Sequence, residues 1–483
     1  MIFEKQINKI RRSKQIPHHT ARKVMTIFYF FLTIVSLCTL CALLLALPFS
    51  QKEPTELLNV IFTAISTITL TGMTTVNTAA TWTPTGLTII IICTQLAAIT
   101  YIILAANVAV EVGAKLKQDF QSGNPLLNIN KNSNFMHKDF LFFAKFVIIF
   151  IFIIEIIGAL LFFIYYSIVS PTTMAGNIFA SIFNSISGLC NSGLSLYNSE
   201  NVGILGLNVP PIAHNIPQML IFTVLAILGG LGFVVIYDLL FYRVNKRLSL
   251  HTKLTLVTTL IFLIVGTTIF YIYELSLMHI DAPLGASNKL SAFVSSIFVP
   301  VSARGLGLSC IDMSALSAPA FFFIALLMFI GGAPGSMTSG IKITTVAIIV
   351  LSIIAQLRRK PDIEIFKRRI SPEAVRFALT VVMVSLIFIM FAVFLVTLAE
   401  SRQMAVTGAE VSTYSNVIFL IISAYSNIGY EPGIVSALTP ISKSIIIIIM
   451  LLGRISSVLF FYVFATPATK QLRRYPTEPI LEG

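Results

Sequence analysis

Residues 57–72 read LLNVIFTAISTITLTG, a mainly apolar run that ends in small polar residues and a glycine. The first thirteen of these residues would extend about 20 Å as a helix, which is too short for the ~30 Å hydrocarbon layer of a membrane. Apolar segments of this length are typical of re-entrant or interfacial helices. Three further segments have a similar length and are followed by small residues and a glycine: 175–187, 290–302 and 412–426.

The composition indicates a membrane protein. Of the 483 residues, 56% are hydrophobic and 11% are charged, whereas a soluble domain carries roughly 25% charged residues. A single soluble core stops growing near ~250–300 residues, so the sequence excludes a cytosolic enzyme. The aromatic content excludes low-complexity disorder. Neither the five Cys nor the six His residues have a metal-binding spacing, and we expect neither a metal site nor a disulfide framework.

Long apolar runs predict eight membrane spans, the sixth of them interrupted. Of the 33 Lys and Arg residues, 26 lie in the two tails and in the connections after spans two, four and six. Cytoplasmic segments are enriched in basic residues, so we expect a multi-pass protein of the inner (plasma) membrane with both termini in the cytoplasm. The net charge of +13 then reflects topology and does not predict nucleic-acid binding. The predicted spans are 24–47, 85–110, 146–169, 218–237, 254–273, 318–356, 377–398 and 444–464.

The four short segments, here called the half-helices, belong to an internal repeat. The glycine after each recurs at intervals of 121, 114 and 122 residues, from Gly72 to Gly193, Gly307 and Gly429. A Phe stands ten residues and a Ser six residues before the first, second and fourth glycine, and the third unit is one residue shorter. Chance coincidence is the weaker explanation. The pattern predicts four units of helix, half-helix, loop and helix.

The loops after the half-helices, here called the glycine loops, are candidates for cation binding. Backbone polar groups at membrane depth must line water or contact protein, and loop carbonyls replace the hydration shell of a cation in selectivity filters. Helix C-termini add partial negative charge. Neutral oxygens suit a monovalent cation, because Ca²⁺ and Mg²⁺ favour carboxylates. The candidate residues are Thr69, Leu70, Thr71, Gly72, Asn191, Ser192, Gly193, Gly305, Leu306, Gly307, Asn427, Ile428 and Gly429; Thr69, Thr71, Asn191 and Asn427 would add side-chain oxygens or brace the loops.

With these loops, several further motifs resemble the Ktr/Trk/HKT superfamily of potassium transporters, and the length is most similar to its KtrB branch, which is TrkH-like. The motifs are GGLGF at 229–233, SAR at 302–304, MFIGGAPGS at 328–336 with GIK at 340–342, IEIF at 363–366 and Gly453-Arg454. The third loop departs from the family pattern with Gly305-Leu306 in place of Thr-Ala, and Asn427 stands where Thr is usual. In plant relatives a Ser at the position of Gly72 accompanies sodium transport, so the resemblance implies potassium.

The resemblance implies an all-α fold in which eight spans and four re-entrant half-helices form four M1–P–M2 repeats with pseudo-fourfold symmetry around one pore. The repeats would be separated and flanked by cytoplasmic tails and loops. The expected boundaries are 1–23 (tail), 24–112 (repeat 1), 113–138 (loop), 139–245 (repeat 2), 246–356 (repeat 3), 357–371 (basic loop), 372–466 (repeat 4) and 467–483 (tail).

The broken sixth span would carry an intramembrane gate. Residues 331–340, here called the span-six loop, hold four glycines and a proline; a kinked packing helix is the alternative reading. A charge inside a membrane costs about 2.5–3.5 kcal/mol even on lenient scales, so Arg454 needs a partner. We expect it to hydrogen-bond carbonyls of the span-six loop; a structural ion pair is the alternative. The predicted gate residues are Gly331, Gly332, Gly335, Ser336, Gly340, Lys342 and Arg454.

Four other features have structural interpretations. We expect Arg304 to brace pore-helix carbonyls and the glycines of 229–232 to permit close helix packing. Structural pairing of Glu155 and Asp238 is favoured over a role in ion coupling.

The resemblance implies the ion-translocating membrane subunit of a potassium uptake system and no enzymatic activity. K⁺ would be the transported ion, with no bound cofactor and with Na⁺ or H⁺ coupling left open. It also implies a homodimer in the lipid bilayer with cytosolic nucleotide-binding regulatory subunits of the KtrA/TrkA type. The alternatives are a sodium-permeable or Na⁺/K⁺-symporting member, or a secondary carrier of another small cation with a site in the broken span.

Overall fold

The structure, a computed structural model, describes residues 18–121, 133–169, 173–196, 212, 215–246, 248–277, 289–311, 313, 316–407 and 414–464. Most of the predicted N-terminal tail, part of the loop predicted at 113–138 and all of the C-terminal tail predicted at 467–483 lie outside these residues.

Helices make up almost all of the regular structure in the described part, as long apolar runs favour. We number the longer ones α1 His18–Ala46, α2 Leu57–Thr69, α3 Pro84–Gln121, α4 Ser133–Val169, α5 Met174–Cys190, α6 Ile216–Gly230, α7 Phe233–Leu240, α8 Leu250–Leu277, α9 Lys289–Val301, α10 Ala318–Phe329, α11 Ile343–Leu357, α12 Pro372–Thr407, α13 Tyr414–Ser426 and α14 Pro440–Phe464. A hairpin, β1 Ile363–Ile365 with β2 Arg368–Ile370, follows α11. Shorter turns of helix lie at Pro48–Ser50, Thr78–Thr81, Tyr242–Asn245, Ser302–Leu306 and Val435–Ala437.

Five helices within the described residues are long and apolar enough to cross a membrane. These stretches are Phe28–Ala46, Pro84–Leu104, Phe142–Val169, Leu250–Ile272 and Pro372–Ser401, and α6 with α7 makes a sixth if the bent pair is one span. The predicted sixth span is divided into α10 and α11, and the predicted eighth span lies within α14. Many large apolar side chains of these helices are exposed, as lipid contact requires.

The four half-helices are α2, α5, α9 and α13, with bounds within three residues of those predicted. Each packs along the long helix before it: α1 with α2, α4 with α5, α8 with α9 and α12 with α13. The four phenylalanines at the repeated position are fully buried, and they belong to one apolar core: Phe62, Phe183, Phe298 and Phe419. The repeated residue therefore anchors each half-helix in the protein interior.

The fourth predicted span is broken. Helix α6 ends at Gly230, α7 begins at Phe233, and the two axes are bent by 94°. The prediction of one continuous helix over 218–237 is therefore wrong, whereas the close packing expected of its glycines is present, because a Cβ on Gly229 would meet Leu189 O. Gly232 has a φ of +84°, a conformation that glycine adopts without steric cost, and the break frees carbonyls that another segment uses.

Candidate functional site

Each half-helix ends in the same hydrogen bond. The carbonyl of the repeated serine accepts a bond from the N–H five residues later, where an α-helix would use the fourth. The four pairs are Thr71 to Ser66 at 2.9 Å, Ser192 to Ser187 at 3.1 Å, Gly307 to Ser302 at 3.0 Å and Ile428 to Ser423 at 3.0 Å. The repeat found in the sequence is thus a repeat of backbone geometry.

Left-handed backbone conformations then turn the chain out of the helix. Leu70, Asn191 and Asn427 have φ values of 56°, 53° and 50°, the usual C-terminal helix cap. The third loop instead passes through a π-helical turn, Ser302–Leu306, in which Gly305 is extended. This different turn accounts for the one-residue offset of the third unit. The four predicted glycines all have positive φ, at 78° for Gly72, 68° for Gly193, 73° for Gly307 and 95° for Gly429.

The four glycine loops contact one another in a closed cycle. A Cβ atom on each glycine would meet the carbonyl oxygen of the residue before the glycine in the next loop. Gly72 faces Ser192 O, Gly193 faces Leu306 O, Gly307 faces Ile428 O, and Gly429 faces Thr71 O. Gly193 also lies beside the Cα atom of Gly72 and beside Ile428 O. The structure therefore brings all four loops together, with four backbone carbonyls packed against four glycines.

The polar side chains where the half-helices end and the loops begin are hydrogen-bonded to other groups of the protein. Thr69 Oγ1 and Thr71 Oγ1 are 2.7 Å apart, and Asn427 Nδ2 donates to Thr71 Oγ1 at 2.8 Å and to Met450 O at 2.9 Å. Asn191 Nδ2 makes long contacts of 3.4 and 3.5 Å with Leu189 O and Ala226 O. These side chains are buried. The contacts favour the bracing role over direct provision of side-chain oxygens.

We expect Asn427→Ala to loosen the fourth loop against the first. The substitution removes both hydrogen bonds of Nδ2 and leaves Met450 O without that donor, which costs about 1–3 kcal/mol for a buried group. We expect the ratio of K⁺ to Na⁺ uptake to fall roughly tenfold if the arrangement of the loops loses about 1.4 kcal/mol of stabilisation. Thr439→Ala, outside the loops, is the control for a lost buried hydrogen bond. An unchanged ion ratio in Asn427→Ala would contradict the bracing role.

The span-six loop is an ordered segment docked onto the break between α6 and α7. Ala333 N donates to Gly230 O at 2.9 Å, Met337 N to Gly229 O at 3.1 Å, and Phe233 N to Gly335 O at 3.1 Å. Inside the loop, Gly331 N donates to Ile341 O, Gly332 N to Thr338 Oγ1, and Ser336 Oγ to Ala333 O. Gly340, with a φ of +75°, packs against Gly331. The predicted unwound segment is therefore confirmed as non-helical.

A buried arginine and a half-buried lysine are bound to this loop. Arg454 Nη1 donates to Met337 O at 2.7 Å and to Ser339 Oγ at 2.8 Å, as predicted from the cost of an intramembrane charge. Its Cζ atom lies 3.8 Å from the ring centroid of Tyr101. Lys342 Nζ donates to Thr338 O at 2.7 Å. The loop also contacts a glycine loop, because a Cβ on Gly305 would meet the methyl group of Thr338.

Other predicted contacts had mixed outcomes. Within the described residues Arg304 makes no hydrogen bond to a pore-helix carbonyl; its Nε is buried without a partner, so that prediction is wrong. Glu155 accepts from Gln95 Nε2 at 3.1 Å, a contact between helices, and Asp238 accepts from Thr252 Oγ1 at 2.5 Å. Both interactions agree with structural pairing.

Two sets of partners were not identified from the sequence. Met337 O and Ser339 Oγ bind Arg454. The carbonyls of residues 229 and 230 bind the span-six loop. Backbone acceptors carry no side-chain signal. The glycines at 229–232 were the available sign of a break, since glycine weakens a helix.

Comparisons with known proteins agree with this architecture. The TrkH family, described as "Cation transport protein", matches residues 1–471. The chain is 31% identical to the Ktr system potassium uptake protein B of Bacillus subtilis, over 94% of this chain and 95% of the relative. It is 29% identical to the potassium/sodium uptake protein NtpJ of Enterococcus hirae, over 91% and 93%. The crystal structure of the potassium transporter TrkH from Vibrio parahaemolyticus superposes with a TM-score of 0.65 at 16% identity, covering 91% of this chain and 84% of that one.

Proposed function

The chain belongs to the TrkH family of cation transport proteins, and we propose that it is the membrane subunit of a potassium uptake system that conducts K⁺ between the four glycine loops. It is a polytopic, mostly helical membrane transporter and not an enzyme. The observation that carries the proposal is the closed cycle of contacts in which each loop glycine faces the carbonyl of the next loop. The names of the relatives, which are potassium or potassium/sodium uptake proteins, support the choice of ion.

The finer architecture belongs to the same proposal. Eight spans and four half-helices form repeats over 24–112, 139–245, 246–356 and 372–466, arranged with pseudo-fourfold symmetry around one pore. Both termini lie in the cytoplasm, and the half-helices enter from the opposite side. The similar ends of α2, α5, α9 and α13 and the cyclic contacts support this arrangement.

Carbonyl oxygens in the glycine loops replace the hydration shell of K⁺. Carbonyls at equivalent places in the cycle come from Thr71, Ser192, Leu306 and Ile428. The C-termini of the half-helices add partial negative charge. The inside-negative membrane potential drives the ion inward with about 2.3 kcal/mol per 100 mV. No catalytic group is required.

The span-six loop closes the path below the glycine loops, held by Arg454 and Lys342. The guanidinium both fixes the loop and presents positive charge to a cation. Following the family resemblance, the chain acts as a homodimer with cytosolic nucleotide-binding regulatory subunits, which bias this loop between its closed and open positions. The second candidate is a sodium-permeable or Na⁺/K⁺-symporting member, favoured by the relative named for both ions.

The test is growth of potassium-uptake-deficient bacteria that express this chain with a regulatory subunit. We expect rescue at low K⁺ by the natural sequence. Gly72→Ser, whose added side chain is directed at Ser192 O, should lower K⁺ uptake relative to Na⁺ uptake. Expression in the membrane is measured for both proteins. Failure of the expressed natural sequence to transport K⁺ or Na⁺ would refute the proposal, and equal uptake of the two ions would favour the second candidate.

A further inference from the structure

A small cavity lies beside the glycine loops and the span-six loop. Its volume is about 30 Å³, and its lining includes Asn191, Thr259, Arg304, Gly305 and Thr338. A cavity of about 10–15 Å³ already holds one water molecule, so this one has room for a small ion. It is separate from the cycle of carbonyls, because its wall also includes residues of α6 and α8.

Two polar groups that line this cavity have no partner in the protein. Arg304 Nε and Thr259 Oγ1 are both buried without a hydrogen bond in the described part of the chain. The Cζ atom of Arg304 lies 5.9 Å from the ring centroid of Phe262. Arginine stays protonated in proteins, and a buried charge without compensation costs several kcal/mol. Unsatisfied buried groups of this kind indicate a missing water or ion.

A second cation lies close to the cavity. Lys342 is bound to Thr338 O, and Thr338 is itself part of the cavity wall. In the described residues neither Arg304 nor Lys342 forms an ion pair with a carboxylate. A water molecule would accept hydrogen bonds from Arg304 and Thr259 but would not neutralise the guanidinium, whereas an anion does both.

The amide of Asn191, on the same wall, is already engaged. Its Nδ2 donates to Leu189 O and Ala226 O at 3.4 and 3.5 Å, close to the limit of hydrogen bonding. The donors that the cavity offers are therefore the guanidinium and the hydroxyl, and these groups match a small monovalent anion that accepts hydrogen bonds.

We propose that this cavity binds one chloride-like monovalent anion, held by Arg304 and Thr259 as the counter-ion of the Arg304 guanidinium, whose Nε is buried. The anion cancels a positive charge that would otherwise repel the cation in the neighbouring loops. It also lies beside both the third glycine loop and the span-six loop, because Gly305 and Thr338 each line the cavity.

The test is anomalous diffraction from crystals of the full chain grown with bromide as the sole halide. We expect one bromide peak per chain in this cavity, within about 3.5 Å of the Arg304 guanidinium. Full-occupancy density in the cavity without an anomalous signal would identify water and overturn the proposal. A peak that appears on the surface but not in the cavity would also overturn it.

Crystals of variants, also grown with bromide as the sole halide, give a second measurement in which the height of the anomalous peak reports the occupancy of the cavity. Thr259→Val keeps the shape of the side chain and removes the hydroxyl, so we expect at least a threefold lower occupancy. Thr267→Val, on the same helix, removes a hydroxyl that is also without a partner but does not line the cavity, and it should leave the occupancy unchanged. Equal occupancy in both variants would exclude Thr259 as a ligand, and Arg304→Gln should abolish the peak.

Discussion

Gly429→Ala is expected to abolish selective potassium uptake. The new methyl group would be directed at the carbonyl oxygen of Thr71, and the φ of +95° is one that side-chained residues avoid. Either the fourth loop moves or the Thr71 carbonyl turns away, and in both cases one oxygen of the proposed K⁺ shell is lost. An interaction with a charged group is worth about 1.5–3 kcal/mol, so we expect K⁺ uptake to fall up to roughly 100-fold.

Gly433→Ala distinguishes the effect of the contact with the Thr71 carbonyl from the effect of backbone strain. Gly433 lies in the same connection with a φ of +76°, but a Cβ on it would have nothing within 4 Å. The left-handed conformation costs an alanine about 1–2 kcal/mol, a penalty to stability that leaves the carbonyl cycle intact. Uptake of ⁴²K⁺ and ²²Na⁺, normalised to membrane expression, should therefore be near normal in Gly433→Ala. Similar losses in both variants would show that strain, and not the carbonyl contact, explains the effect.

The half-helices could be predicted because their signals are local. Thirteen-residue apolar runs before a glycine set the bounds of α2 and place those of α9 within one residue, since length and hydropathy act along the chain. The positions of Ser66, Ser187 and Ser423 also indicated a common register. The hydrogen bond that they share uses main-chain atoms, so the serine marks the position without being required for the bond.

The contacts between loops could not be predicted in detail. Gly193 and Leu306 are 113 residues apart, yet Leu306 O lies 3.0 Å from the place of a Cβ on Gly193. Such pairings depend on how whole helices pack. The sequence also did not decide the roles of the side chains. The amide of Asn427 braces Thr71 and Met450 O, while Arg304 lacks the carbonyl partner expected of it.

The break in the fourth span was misread for a physical reason. Glycines in an apolar helix commonly mark close packing between helices, and residues 229–232 have that composition. The break instead depends on a partner that is distant in the sequence. In the span-six loop, Ala333 N donates to Gly230 O and Met337 N donates to Gly229 O. Those bonds stabilise carbonyls that a broken helix would leave unsatisfied in the membrane.

Arg454→Ala should increase potassium flux in the absence of a regulatory subunit. Its guanidinium holds the span-six loop through Met337 O and Ser339 Oγ and stacks on Tyr101. Each bond from a charged donor contributes about 1.5–3 kcal/mol, so its loss favours displacement of the loop and also removes a positive charge from the path. A shift of about 1.4 kcal/mol in the closed-to-open equilibrium raises the flux roughly tenfold if the open state is rare. Flux is measured as ⁸⁶Rb⁺ uptake into liposomes of the purified chain.

Two variants distinguish anchoring of the loop from charge repulsion. Arg454→Lys retains the positive charge but not the planar guanidinium, and Ser339→Ala removes one acceptor while Arg454 and its charge remain. If the hydrogen bonds hold the loop closed, both variants should show intermediate flux between the natural chain and Arg454→Ala. If the charge alone blocks the cation, both should resemble the natural chain. Unchanged flux in a correctly folded Arg454→Ala protein would mean that the arginine has a structural role only. The hydrogen bonds to Met337 O and Ser339 Oγ would then make no contribution to gating.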